Sequence, residues 1–181
     1  AFSEMSEVLP FKVRDIDSDN GSEFINHHLF GYCDAREIGF TRGRPYKKDD
    51  NAYIEQKNWT HVRKLIGWDR YETPESVAAL NDLYRNELRL YMNLFQPSVK
   101  LIRTLRRGSR KVRRYDEPRT PLDRLVGMPG ADGRKVEALL HLRSQLDPFA
   151  LSRIIQKKLE RIWAMRQTGK RSEQARRPSS F

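Results

Sequence analysis

The stretch FKVRDIDSDNGSEF, residues 11–24, places an extended segment directly before a tight turn. Residues 11–16 are predicted to form a short strand because apolar and polar side chains alternate along them. Asn-Gly at positions 20–21 is among the strongest turn dipeptides, and it ends this strand. Asp19 is therefore expected at the end of a strand, where a metal ion can reach its carboxylate.

A helix is predicted to follow at 51–66, with Asp50 or Asn51 as its N-cap. Glu55 lies in its first turn, where an acid also interacts favourably with the helix dipole. Helical spacing places Glu55 on a stripe that is otherwise apolar, and we expect this stripe to face inward. The stripe consists of Glu55, Trp59, Val62 and Ile66.

Asp19 and Glu55 are separated by 35 residues, with a second short strand predicted between them at 38–41. Carboxylate oxygens are hard ligands that suit Mg²⁺ or Mn²⁺. Two carboxylates that meet at the end of a sheet can share metal ions, which activate a nucleophile and stabilise a leaving oxygen. Holding two ions requires a third carboxylate. The pattern indicates Asp19 and Glu55 as candidate catalytic residues and metal ligands.

Residues 17–26 read DSDNGSEFIN, and residues 42–67 read RGRPYKKDDNAYIEQKNWTHVRKLIG. Together these stretches resemble the DDE transposases of bacterial insertion sequences. That family has a catalytic core of the retroviral-integrase type with a ribonuclease-H-like fold. The resemblance extends over roughly residues 8–125. The positions that carry it are Asp19, Asn20, Gly21, Glu55 and Asn58.

The resemblance implies DNA transposition by metal-dependent strand transfer. Two Mg²⁺ (or Mn²⁺) ions, held by three carboxylates that include Asp19 and Glu55, would activate water to cut at a transposon end. They would then activate the freed 3′-hydroxyl to attack target DNA. Neither step forms a covalent bond to the enzyme, so the protein contributes positioning and charge stabilisation. The implied partners are DNA and further copies of the chain, with no small-molecule substrate.

The first catalytic aspartate of that family lies on an earlier strand, which has no counterpart in the 18 residues before Asp19. Asp17 shares the side of the predicted strand with Asp19, but both acids would then lie on one strand. We therefore interpret Asp15 and Asp17 as a strand end that faces solvent. Because that aspartate and its strand are missing and the chain begins at Ala1, it is expected to be the C-terminal part of a longer transposase. Because the first carboxylate is missing, the chain is expected to be inactive alone.

Candidate DNA contacts surround Glu55. Asn58, one turn further on, would contact DNA or orient the acid. Related integrases often carry lysines four and seven positions after the Glu, but this chain has Trp59 and Val62 there, so that correspondence fails. The remaining candidates are Arg42, Arg44, Lys47 and Lys48 in the preceding loop, and Lys57, Arg63 and Lys64 on the helix.

The charge of the chain is unevenly distributed. Its net charge is +11, but residues 1–60 carry 8 Lys/Arg and 11 Asp/Glu, whereas residues 61–181 carry 27 and 13. Residues 100–114 are strongly basic, and Gly108 and Ser109 are expected to interrupt any helix there. So basic a chain usually binds a polyanion. We expect sequence-independent DNA binding that weakens steeply as the salt concentration rises.

The predicted fold is α/β, dominated by helices: a partial ribonuclease-H-like core of the integrase type with a C-terminal helical extension. Further helices are predicted at 74–95, 134–145 and 148–167, and the composition of 126–133 indicates a linker. The two last helices could form dimers or could fold back on the core. Core positions are predicted for Tyr84, Tyr91, Phe95 and Trp163. The predicted segments are 1–70 (core), 71–125 (core-completing helix and basic segment), 126–168 (helical extension) and 169–181 (disordered tail).

Cys33 is the single cysteine, so no disulfide can form within the chain, and no apolar run is long enough to span a membrane. A cytoplasmic, nucleoid-associated location is expected. Two alternative functions stay open. One is a non-catalytic, DNA-binding remnant of a transposase. The other is a metal-dependent nuclease of the same fold, which hydrolyses DNA without joining it.

Overall fold

A computed structural model describes residues 2–18, 27–44 and 52–166, apart from the side chain of Tyr53. The predicted α/β class with a majority of helix is confirmed for these residues, and their strands form two small separate sheets. The helices are α1 (Phe2–Val8), α2 (His27–Asp34), α3 (Ala52–Asn58), α4 (Lys64–Ile66), α5 (Pro74–Arg85), α6 (Glu87–Leu94), α7 (Pro121–Leu125), α8 (Gly133–Gln145) and α9 (Pro148–Ala164). The strands are β1 (Asp15–Ser18), β2 (Gly39–Arg42), β3 (Leu101–Arg107) and β4 (Arg110–Tyr115). No helix in the described ranges is long and apolar enough to cross a membrane.

Strands β1 and β2 pair in parallel, and α2 lies between them in the chain. A small core forms beneath the pair because Leu29, Cys33 and Ile38 are buried against apolar side chains of both strands. The strand predicted at 38–41 is confirmed, one residue later. The strand predicted at 11–16 is displaced to β1, because Phe11 pairs with Ala131 in an isolated antiparallel bridge.

Helices α5, α6 and α9 form what we call the helical body. Its start signals act as predicted, since Thr73 Oγ1 accepts a hydrogen bond from the Ser76 N–H at 3.2 Å and Asp147 caps α9. The buried centre of the body consists of Leu83, Leu88, Ile155, Leu159 and Ile162. The third predicted segment therefore folds back onto α5 and α6, one of the two possibilities for these helices.

The predicted continuous helix from residue 74 to Phe95 is wrong, since it breaks at Asn86. Asn86 has φ −108° and ψ −104°, and its side chain donates a hydrogen bond to Asp82 at 2.8 Å. Such a local side-chain bond offers an alternative to the regular helix. Lys158 Nζ lies 2.6 Å from an Asp82 oxygen and 2.5 Å from a Glu87 oxygen, so an ion pair from α9 stabilises the break.

A second core joins α6, α7 and α8 through Leu94, Leu122 and Val136. The four aromatic residues predicted to be in the core pack against it or against the helical body, which confirms that prediction: Tyr84, Tyr91, Phe95 and Trp163. The segment 126–133 is more than a linker. The Asp132 N–H donates to Pro10 O at 2.7 Å, so this segment contacts the N-terminal part of the chain.

The basic segment forms an antiparallel hairpin, β3–β4, which we call the basic hairpin (residues 101–115). Gly108 and Ser109 form its turn, and Gly108 has φ +60°, a conformation that favours glycine. Gly108 and Ser109 are expected from the sequence only to interrupt a helix, and the hairpin itself is not predicted. Leu105 and Val112 are half-buried against each other, and the remaining side chains of both strands are exposed.

Candidate metal and nucleic-acid site

The carboxyl ends of β1 and β2 lie at the same edge because the two strands are parallel. Ser18 is paired with Arg42, and the Gly43 N–H donates to Ser18 O at 2.9 Å, which extends the pairing beyond β2. Asp19 follows Ser18 in the chain but lies outside the described residues, as do Lys47 and Lys48. The role of Asp19 as a ligand stays a prediction.

Asp15 and Asp17 occupy the exposed side of β1, whereas Ile16 and Ser18 point towards the protein. Asp17 accepts a hydrogen bond from Thr41 Oγ1 at 2.8 Å, so it connects β1 to β2. The Ser18 hydroxyl is buried and has no hydrogen-bond partner within the described ranges. The interpretation of the two acids as an exposed strand end agrees with this geometry.

Glu55 lies in the first turn of α3 and is exposed, as is Asn58 at the end of that helix. The prediction that the Glu55 stripe faces inward is wrong for its first half, because Trp59 is 51% exposed. Only Val62 and Ile66 are partly buried. An exposed carboxylate can still serve as a ligand at a surface that receives a large substrate.

A π-helical segment, Trp59–Arg63, separates α3 from α4 and explains the failed stripe. The Lys64 N–H donates to Trp59 O, five residues back, instead of four. This extra residue rotates the side chains after it relative to those before it. Glu55 and Trp59 therefore cannot share one face with Val62 and Ile66 as they would in a regular α-helix.

Three side chains from elsewhere in the fold bind carbonyl groups in this region. Tyr84 Oη donates to His61 O at 2.6 Å, and Trp163 Nε1 donates to Leu65 O at 2.9 Å. A third bond runs from the Tyr71 hydroxyl to Ile66 O at 3.1 Å. The C-terminal half of the Glu55 helix is thus fixed to the helical body, while its N-terminal half is exposed.

The helix candidates for DNA contact differ in their surroundings. Lys57 and Lys64 are exposed, and the charge of Lys57 adds to burial in lowering the pKa of His61. Arg63 is partly buried; its guanidinium lies 4.3 Å from the centre of the Trp68 ring and donates to Gly67 O at 3.3 Å. Arg63 therefore has a structural role, and its contact with DNA stays a prediction. Arg42 and Arg44 are exposed, and each takes part in a further interaction.

The base of the basic hairpin is held by polar contacts that we call the hairpin clamp (Ser98, Lys100, Asp116 and Arg124). The Arg124 guanidinium binds both carboxylate oxygens of Asp116, at 2.5 and 3.3 Å, and also Ser98 O at 2.6 Å. The Lys100 N–H donates to the same carboxylate. The Arg124 guanidinium and then this N–H lower the pKa of Asp116 to about 2.

A neighbouring ion pair joins α7 to α8. Arg143 Nη1 lies 2.7 Å from Asp123 Oδ1, and the Thr120 hydroxyl donates to the same carboxyl group. Arg143 first, and then Thr120, lower the pKa of Asp123 to about 2. The hairpin is thereby connected through α7 to α8.

Mg²⁺ and Mn²⁺ suit carboxylate ligands chemically, and Glu55 is accessible from solvent. In the part of the chain that the structure describes, no group of three or more His, Cys, Asp and Glu residues could hold a metal ion. Of the predicted ligand pair, only Glu55 lies within that part.

The basic hairpin is a candidate functional surface whose form was not predicted from the sequence. Its signal is present, because LIRTLRR and RKVRRY flank Gly-Ser, a dipeptide typical of two-residue hairpin turns. Because the segment is so rich in arginine, it was interpreted by its charge, and its hairpin pattern was not used.

Comparison with known proteins gives one curated relative. Over 134 residues, 74% of the chain, it is 42% identical to an uncharacterized protein, y4rM, of Sinorhizobium fredii. The aligned region covers 38% of that relative, so the chain spans well under half of its length. No protein-family model matches the chain, and no solved structure matches it.

Proposed function

We propose that this chain is part of a DDE-type transposase, which joins DNA ends to target DNA by metal-dependent strand transfer. The order of elements supports this proposal: a strand that ends directly before Asp19, a helix, a parallel strand, and then the helix that carries Glu55. The observation that carries it is the shared edge at Ser18 and Arg42, since both candidate acids follow strands that end there. A partial ribonuclease-H-like core is the finer description of the fold that we propose.

Asp19 and Glu55 would hold divalent Mg²⁺ or Mn²⁺, which supplies positive charge for activating an oxygen nucleophile and stabilising a leaving oxygen. Glu55 lies on a helix whose far end is fixed to the helical body. Asn58, Lys57 and Lys64 are exposed on or near the same helix and would contact the DNA strand beside the acids. The intact enzyme would act as a multimer on DNA in the cytoplasm.

A strand-transfer assay tests this proposal on the product of the longest reading frame that contains residues 1–181. The assay measures joining of a labelled DNA end with a free 3′-hydroxyl to a plasmid in Mg²⁺. We expect Asp19→Asn and Glu55→Gln each to reduce joining on the order of a thousandfold, because each removes several kcal/mol of charge stabilisation.

Asp17→Asn is the matched control, because Asp17 lies two residues from Asp19, is exposed, and keeps a side-chain acceptor for Thr41 as an asparagine. It is expected to leave joining nearly unchanged. Equal losses for Asp17→Asn and Asp19→Asn would contradict the proposal. Cutting without joining would favour the nuclease, and DNA binding without either reaction would favour the remnant.

The polypeptide of residues 1–181 is expected not to catalyse the reaction alone, because only two of the three implied carboxylates have been identified in it. Purified 1–181 incubated with supercoiled DNA and Mg²⁺ tests this expectation. Nicking by this polypeptide that Glu55→Gln abolishes would contradict it.

A further inference from the structure

The basic hairpin carries positive charge on both faces of a two-stranded ribbon. Side chains of a strand point alternately to opposite faces, and residues that are directly paired share a face. Arg103, Arg107, Arg110 and Arg114 flank the Leu105–Val112 pair on one face. The opposite face carries Arg106, Lys111 and Arg113.

Like charges lie directly opposite one another in this hairpin. The register pairs Arg103 with Arg114, Arg106 with Lys111, and Arg107 with Arg110. Side chains in such pairs start only about 5 Å apart, and like charges there destabilise the pairing. Within the described ranges, no carboxylate forms an ion pair with any of these residues. The free hairpin therefore keeps a repulsion that a bound polyanion would relieve.

The hairpin also projects from the rest of the fold. Its only extensive contacts with a described element are those between its own two strands. The hairpin clamp fixes its base through Asp116 and Arg124, whose side chains are 25% and 16% exposed. The basic side chains beyond the base are all exposed. A ribbon with an anchored base and open faces can enter a groove that a flat protein surface cannot.

We propose that the basic hairpin is a phosphate-binding arm for double-stranded DNA, separate from the Asp19–Glu55 edge. The major groove of B-DNA admits a two-stranded β-ribbon, and cations on both faces can contact the phosphates on either side of it. Arginine and lysine contacts to phosphates carry no base recognition, so the binding is independent of sequence. An anionic membrane surface attracts basic segments as well, but a flat surface would contact only one face of the ribbon, whereas a groove can contact the cations on both.

This inference shares DNA as a partner with the proposed function but requires neither the acids nor a metal ion. The experiment is therefore fluorescence anisotropy of a labelled, mixed-sequence DNA duplex with the 181-residue chain in EDTA, over a series of salt concentrations. Strand transfer is measured separately. Failure of the DNA-binding experiment then does not contradict the proposed strand transfer, and failure of strand transfer does not contradict the proposed DNA-binding arm.

Arg106→Gln with Lys111→Gln removes one like-charged pair. We expect the salt slope of log K to become shallower by about 1.8, because each phosphate contact contributes about 0.9. Affinity at 0.1 M salt should fall by up to roughly sixtyfold for the same reason. The urea midpoint of the same variant should stay equal or rise, because the repulsion between Arg106 and Lys111 is gone.

Arg134→Gln with Lys157→Gln is the matched control, since it removes two exposed cations from α8 and α9 and changes the net charge equally. It is expected to leave the salt slope nearly unchanged. Equal slopes for the two double variants would overturn the proposal, because binding would then depend on net charge alone. Tighter binding to phosphatidylserine vesicles than to the duplex, lost in the hairpin variant, would also overturn it.

The Arg106→Lys variant distinguishes a loss of binding caused by lost charge from one caused by altered folding. It keeps the positive charge, so affinity and salt slope should remain close to those of the parent chain. If Arg106→Lys weakens binding as much as the double glutamine variant while the urea midpoint is unchanged, the hairpin does not act as a phosphate-binding arm.

Discussion

The helical body and the basic hairpin are neighbours in the chain and are stabilised in opposite ways. The helical body buries Leu83 fully, at 0% exposure, and Ile162 at 1%. The hairpin offers only the half-buried pair Leu105 and Val112. An isolated two-stranded hairpin is at best marginally stable in water. The body therefore depends on its apolar core, whereas the hairpin depends on the contacts at its base.

The two regions also differ in how their charged side chains are paired. In the helical body, Lys158 lies between Asp82 and Glu87, so each charge at the break has an opposite partner. In the hairpin, arginine faces arginine across the strands. The helical body thus pairs the charges at its break with one another, whereas the hairpin places like charges opposite each other.

Truncation of one leucine in each region gives the largest expected contrast. Leu83→Ala should reduce the free energy of unfolding by about 2–5 kcal/mol, because it leaves a cavity in a closely packed core. Leu105→Ala should cost below about 1 kcal/mol, since a half-buried side chain loses little buried area. Urea denaturation followed by circular dichroism measures both. Equal losses would show that the hairpin packs against a core of its own.

Acidification should affect the base of the hairpin. The folded pKa values of Asp116 and Asp123 lie at about 2, below the ordinary 3.8. Because the folded state binds these protons more weakly, the ionised pairs stabilise it fully above about pH 4. That contribution is lost as the pH falls from about 4 towards about 2. Urea midpoints measured from pH 6 downwards should decline over this range.

Asp116→Asn tests the source of this decline. It should lower stability at neutral pH and make the loss on acidification shallower, because one of the two titrating carboxylates is gone. The control is Asp34→Asn, an exposed acid at the end of α2 that forms no ion pair in the described part of the chain. An unchanged acid profile in Asp116→Asn would exclude the clamp as the source.

A glycine-to-alanine substitution in two places gives the smallest and most local contrast. Gly108→Ala should destabilise the hairpin by about 1 kcal/mol, because alanine is strained at φ +60°. Gly31→Ala should stabilise α2 by about 0.5–1 kcal/mol, since nothing lies within 4 Å of an added Cβ there. Thermal unfolding should shift in opposite directions. A rise in both variants would show that the turn at Gly108 tolerates side chains.

Local signals in the sequence were sufficient to predict most of the helices. Thr73-Pro74 and Asp147-Pro148 each combine a cap with a proline, and both helices begin there. The break at Asn86 was not predicted: besides the local bond to Asp82, it is stabilised by Lys158, which is 71 residues from Glu87 in the chain. The late start of β1 likewise depends on a partner, Ala131, far away in the sequence.

The candidate site could be predicted from the sequence only in part. The order of strands and helix around Glu55 follows from local patterns, and the parallel pairing of β1 and β2 agrees with it. The outward position of Glu55 could not be predicted, because helical spacing assumes one hydrogen-bond pattern throughout and the segment Trp59–Arg63 departs from it. Asp19 lies outside the described residues, so its assignment still rests on the sequence resemblance.

The hydrogen bond from Trp163 to Leu65 spans 98 residues. It links the helix of a proposed catalytic acid to the last helix of the described chain. A frameshift or premature stop codon between the hairpin and α9 would remove this bond, together with the α9 side chains that cover Leu83. A mutation late in the reading frame would therefore impair the helix that carries Glu55 while leaving every proposed catalytic residue unchanged.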